Sequence, residues 1–132
     1  SEMCIRDSRR LDTYFYHHKL DVDKMKQAAS YLVGEHDFKS FCAVGAQVKT
    51  TTRTIYSCEV EKDGNDIITI RVTGNGFLYN MVRIIAGTLI RVGGGEMAPD
   101  EIPQILGKKD RTAAGPTAPA HGLTMMGIEY GE

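Results

Sequence analysis

A chain of 132 residues, 42% hydrophobic and 25% charged, carries enough apolar material for one core, and that balance excludes bulk disorder. Its formal net charge of −1 points to no particular partner, so any nucleic-acid surface must concentrate its basic residues locally. Three cysteines, Cys4, Cys42 and Cys58, with no CxxC pair, support neither a disulfide framework nor a zinc site and suit a reducing cytoplasm; no apolar run has membrane-spanning length and no signal peptide is visible.

Residues 1–9, SEMCIRDSR, have neither strand alternation nor a helical stripe. They read as a scar of cloning or sequence assembly, which sets the domain at residues 10–132 and implies that a natural N-terminal portion is missing. The aromatic-rich stretch 11–18, LDTYFYHH, fits an edge strand or an extended linker. Asp21 or Asp23 can then cap a helix that places Met25, Ala28, Ala29 and Leu32 on one face, with Gly34 where a left-handed C-terminal cap belongs. Residues 36–52 read as a loop containing Lys39 and Lys49 and no acidic residue after Asp37.

Residues 54–61 and 67–73 read as two strands of a hairpin, the second with Ile68, Ile70 and Val72 on one face. Between them, the Asp-Gly and Gly-Asn pairs of Lys62-Asp63-Gly64-Asn65-Asp66 provide positive φ for the turn. Residues 77–92 carry a wide stripe at helical period, formed by Phe77, Leu78, Met81, Val82, Ile85, Leu89 and Val92, and end at three consecutive glycines. A short helix over 99–106 begins at Pro99, a favoured first-turn residue. A loop over 107–122 follows, and a last strand over 123–130 alternates through Thr124, Met126, Ile128 and Tyr130. This order predicts an α+β fold, an antiparallel sheet with helices packed on one face, without an internal domain boundary.

Arg83 is the first candidate for chemistry. A guanidinium beside so apolar a stripe either reaches out to water along its stem or requires a carboxylate or phosphate partner. The Gly74-Asn75-Gly76 turn before Phe77 lets backbone approach another surface and leads to a helix N-terminus that can receive an anion, although most such turns are only turns. His36 and Asp37 are neighbours on an extended segment and point to opposite faces, so Asp37 is read as a turn cap, with Phe38 and Phe41 as core anchors. His17-His18 lacks a third ligand at metal spacing, and His121 has no assigned role. Lys39, Lys49 and Arg53, and separately Lys108, Lys109 and Arg111, lie on two basic loops that fit either a phosphate backbone or solvated surface. Cys42 and Cys58 read as small packed residues rather than nucleophiles. These residues describe a domain and leave its reaction open.

The strings LDVDKMKQAASYLVGEHDFKSF, TRTI, GNGFLYNMVRIIAGTLIRVG and KDRTAAGPTAPAHGLTMMGIEY, taken in order, closely resemble the C-terminal half of tRNA pseudouridine synthases of the A type, over nearly the whole chain. The resemblance implies one half of the pseudouridine synthase fold, two similar α+β halves flanking a positively charged cleft, usually as a homodimer. It implies isomerisation of uridine to pseudouridine in the tRNA anticodon stem-loop, without metal or organic cofactor and with no membrane partner. In that family the arginine of the FLYNMVR-like motif pairs with a nucleophilic aspartate, a role that falls on Arg83. By the same resemblance Phe77 and Leu78 line the cleft. Charge and loop position nominate Arg53, Lys108, Lys109 and Arg111 as contacts to tRNA. The family's aspartate sits in an RTDAG motif that this sequence lacks; DRTAAG at 110–115 has no aspartate after Thr112. The chain is therefore expected to need the missing N-terminal half and to be inactive alone. The alternative is a non-catalytic RNA-binding or assembly module with the same fold. A hydrolase built on His36 or His121 lacks a nucleophile and an orienting group.

Overall fold

A computed structural model describes residues 9–16, 19–43, 48–78, 80–118 and 124–130. Among the described residues five strands form one sheet: β1 (Arg9–Tyr16), β2 (Gly34–Asp37), β3 (Thr52–Lys62), β4 (Ile67–Gly74) and β5 (Thr124–Tyr130). Their spatial order is β2-β3-β4-β1-β5, and every neighbouring pair is antiparallel. The helices α1 (Val22–Ser30), α2 (Met81–Gly93) and α3 (Ile102–Lys108) cover one face, as the α+β reading expects.

The hairpin β3–β4 sets the inner face. In β4 the period-2 alternation IITIRVTG puts Ile68, Ile70 and Val72 completely inside, while Thr69, Arg71 and Thr73 on the opposite side are only half-buried. A register shift between Ile55 and Ser57 re-aims the longer β3, so that Ile55 and Val60 both reach the core. The turn departs from expectation. Positive φ falls on Asp66, at +61°, rather than on the Gly64-Asn65 pair. The cause is Asp63, whose Oδ1 accepts from the amides of Asn65 (2.8 Å) and Ile67 (3.1 Å) and fixes the loop from its first residue.

Residues 11–16 are neither an edge strand nor a linker. Strand β1 is interior to the sheet, paired with β4 from Arg9↔Gly74 to Tyr16↔Ile67 and with β5 on its other side. Its polar Thr13 is fully buried and donates to Ile70 O (3.3 Å). The strand begins at Arg9, inside the segment read as a scar; residues 1–8 lie outside the described residues, as does His17-His18.

Helix α1 is capped by Asp21, whose Oδ1 accepts from Lys24 N (3.2 Å), and it buries Met25, Ala28 and Ala29. It ends sooner than predicted, in tight bonds from Tyr31 N to Ala28 O and from Leu32 N to Ala29 O. Gly34, at φ +112°, is therefore not its cap but the first residue of β2. That strand corrects the loop reading of 36–52: residues 34–37 pair with β3, from Gly34↔Ile55 to Asp37↔Thr52.

Helix α2 starts four residues later than the stripe implied, because Asn80 adopts a left-handed φ of +59° and Leu78–Met81 closes as a turn, Met81 N donating to Leu78 O (3.0 Å). From Met81 onward the helix is enclosed almost all round: Ile84, Ile85, Ala86, Leu89 and Val92 are fully buried. The short helix splits into a 3-10 turn, Pro99–Glu101, and α3, which runs to Lys108; the Glu101 carboxylate accepts from Ala98 N (2.6 Å) and starts the turn.

Candidate functional site

An enclosed helix needs a lid over the face that the sheet and α1 leave open, and on α2 the segment after α3 provides it. Asp110 starts a 3-10 turn, Arg111–Ala113, by accepting from Thr112 N (3.0 Å) and Thr112 Oγ1 (2.8 Å); these bonds hold its carboxyl below the usual carboxylate range. Arg111 then bends the chain back on itself: Nη1 donates to Gly115 O (2.8 Å) and Nη2 to Thr117 Oγ1 (3.2 Å). The resulting strap, residues 111–118, lies directly on helix backbone. Gly115 N donates to the buried Thr88 Oγ1 (2.9 Å), and Ala118 N donates to Arg83 O (3.1 Å). A Cβ on Gly87 would stand 1.8 Å from Pro116 O, so only glycine permits this approach.

Arg83 sits where the strap ends. It is half-buried, and both Nε (3.0 Å) and Nη2 (2.7 Å) donate to Ala118 O. Nε and Nη2 form the side edge of the guanidinium, so that edge is taken by a neutral carbonyl. The end edge, Nη1 with the second hydrogen of Nη2, has no hydrogen bond among the described residues, and no carboxylate among them lies within ion-pair distance. Among the described residues the arginine is thus neither buried against an acid nor waving in solvent: its plane is set by backbone while one fork has no partner there, a geometry suited to bidentate capture of a carboxylate or phosphate. Just before α2, Leu78 packs into the core at 4% exposure and Phe77 lies against it half-buried, leaving Phe77 the larger surface share.

The two basic loops, separate in sequence, meet. The buried Ser40 donates to Ile105 O (2.7 Å) and accepts from Asp110 N (2.9 Å), joining the 3-10 turn Lys39–Phe41 to the end of α3. This sets exposed Lys39 near exposed Lys108 and Lys109; Lys109 Nζ approaches Asp37 Oδ2 at 3.9 Å. Arg53 folds back, Nη1 donating to Thr50 O (2.9 Å) and Thr52 O (2.7 Å). Arg111 spends two nitrogens on the strap. Of the four nominated residues, Lys108 makes no hydrogen bond or ion pair among the described residues, and Lys109 is held only loosely, by Asp37; exposed Lys39 lies beside them.

A model of the family described as tRNA pseudouridine synthase matches residues 28–131. The chain belongs to the tRNA pseudouridine synthase family. Proteins called tRNA pseudouridine synthase A from Bacillus pumilus, Caldicellulosiruptor bescii and Brevibacillus brevis are 54%, 49% and 57% identical to it over 86%, 89% and 84% of this chain, respectively. Those stretches are 45%, 48% and 45% of the relatives, so the chain spans about half the length of the relatives it matches. Among solved structures, a Cbf5-Nop10-Gar1 complex superposes at a TM-score of 0.45 with 21% identity over 65% of this chain and 26% of that one, too slight a likeness to add to the assignment.

In this chain the expected architectural role of His36-Asp37-Phe38 is visible. His36 Nε2 meets Val33 O (3.0 Å), Asp37 Oδ1 accepts from Lys39 N (3.0 Å) and Thr51 Oγ1, and Phe38 and Phe41 are completely buried. His121 lies outside the described residues. Sequence reasoning missed Ser40, Gly87, Thr88 and Ala118. The available signal was the Gly87-Thr88 pair, a small residue and a hydroxyl inside an otherwise apolar helix.

Cys42 and Cys58, the cysteines among the described residues, sit where the thiolate is disfavoured. Burial raises the Cys42 thiol against an opposing effect of Arg53, and burial with Glu59 nearby pushes Cys58 up to about 12. At pH 8 iodoacetamide should leave Cys58 unmodified in the native chain under conditions that alkylate it fully in denaturant. Because the folded state disfavours the thiolate, stability is unaffected below the ordinary thiol value of 9.0 and falls as pH rises from there toward 12. Labelling of the native chain at the denatured rate would contradict this environment.

Proposed function

We propose that residues 10–132 act as the C-terminal half of a tRNA pseudouridine synthase that isomerises uridine to pseudouridine in the anticodon stem-loop. In this reading an aspartate from outside this chain attacks the uridine, the glycosidic bond breaks, and the freed base turns and reattaches through carbon. Arg83 offers its open edge to that aspartate, keeping it ionised and oriented before attack. The supporting observation is the guanidinium itself, held in plane by Ala118 O with the adjoining fork unoccupied among the described residues.

Phe77 and Leu78 would border the base-binding cleft, and Lys108, Lys109 and Arg53 would meet the tRNA backbone, Lys108 and Lys109 most directly. The whole enzyme works as a homodimer in the cytoplasm, without metal or organic cofactor. The sequence of this chain contains no RTDAG motif, so alone it makes no pseudouridine.

The test joins the N-terminal half of the Bacillus pumilus relative to residues 10–132 and measures pseudouridine in a tRNA anticodon arm. Turnover by the joined protein, and none by the 132-residue chain, is the expected result. Turnover by the chain alone refutes the reading. Salt-sensitive tRNA binding with no turnover in the joined protein replaces it with a non-catalytic RNA-binding module.

A further inference from the structure

We propose that Arg111 is a positioning residue for Arg83, acting through the strap, rather than a direct contact to RNA. The inference rests on the reading that the open edge of Arg83 receives a carboxylate. A guanidinium on a long flexible stem does not hold a plane by itself; here its plane is set by the Ala118 carbonyl, through the 3.0 and 2.7 Å bonds from Nε and Nη2. Ala118 in turn belongs to a stretch, residues 114–118, that forms no helix or strand and so takes its path from the bonds it makes.

Three anchors fix it. Ala118 N is tied to Arg83 O and Gly115 N to Thr88 Oγ1, and between these points Arg111 bridges Gly115 O and Thr117 Oγ1 with the two ends of one rigid fork. Arg111 thereby sets the curvature of residues 115–117 and so the place of the next carbonyl. It is half-buried and its two terminal nitrogens point into the strap, an arrangement that presents little charge to a phosphate.

A phosphate contact and a bridge respond oppositely to lysine. One ammonium can replace a guanidinium against a phosphate, but it has no planar fork to hold a carbonyl and a hydroxyl on separate residues at a fixed spacing. Exchange of the Arg83 Nε hydrogen, followed by 15N NMR on the 132-residue chain, reads positioning without catalysis. Arg111→Lys and the milder Thr117→Val should speed that exchange by about tenfold or more while the backbone amides of Ile68 and Ile70 stay protected. In the joined protein, Arg111→Lys should lower kcat by about 100-fold with KM for tRNA changed less than about threefold.

Unchanged Arg83 exchange in both variants overturns the proposal. So does Arg111→Lys retaining full kcat while Arg111→Ala raises KM and flattens the salt dependence, the signature of a backbone phosphate contact. Failure of the underlying reading looks different: Arg83→Ala would keep its kcat, whatever Arg111 does to exchange.

Discussion

Gly87→Ala should destabilise the chain by about 3 kcal/mol, although alanine is by itself the better helix former by about 1 kcal/mol. The new methyl carbon would stand 1.8 Å from Pro116 O, 2.9 Å from Pro116 C and 3.3 Å from Ala118 N, all backbone atoms with no rotamer to change. The helix cannot retreat, because Ile85, Leu89 and Val92 fill the opposite side without exposed surface. The strap must lift instead, breaking the bonds from Gly115 N to Thr88 Oγ1 and between Ala118 and Arg83. The lost bonds and the strain together outweigh the gain in helix propensity. Urea unfolding should show a lower midpoint at unchanged slope. An alanine variant as stable as the parent would mean that the strap does not rest on this face.

For the joined protein, Arg83→Lys is expected to reduce kcat by at least about 100-fold, comparable to the loss of one preorganised donor at a developing charge. Lysine conserves charge and reach, so a merely electrostatic role, attracting tRNA to the cleft, would survive the exchange and leave KM as the parameter that moves. What lysine lacks is the second edge. An ammonium that satisfies Ala118 O has no fixed fork left for a carboxylate, and one that reaches for the carboxylate abandons Ala118. Single-turnover kinetics at saturating tRNA isolates the chemical step from binding. Retention of more than about a tenth of parental kcat would remove Arg83 from the mechanism.

Much of this was legible from the residues. The alternation Ile68, Ile70, Val72 and the stripe Met25, Ala28, Ala29 report faces accurately, since a strand or helix face depends only on spacing within a few residues. The FLYNMVR string singled out Arg83 before any geometry. The errors fall where local pattern and chain path part. Phe77 and Leu78 continue the apolar stripe, yet the left-handed Asn80 puts them in the loop ahead of the helix, because a stripe records burial and not hydrogen bonding. The aromatic β1 is alternating enough to be a strand, but nothing within it says that it lies between β4 and β5.

By itself, then, the sequence determined the class of fold, the family and the inner faces of its strands and helices, and it nominated Arg83. Tertiary structure alone decided what holds that arginine and what joins the basic loops. Arg83 and Ala118 are 35 residues apart, Thr88 and Gly115 are 27 apart, and Ser40 and Asp110 are 70 apart. No periodicity extends over such distances. A backbone carbonyl, which every residue possesses, becomes a specific ligand only when packing brings one of them to the right place.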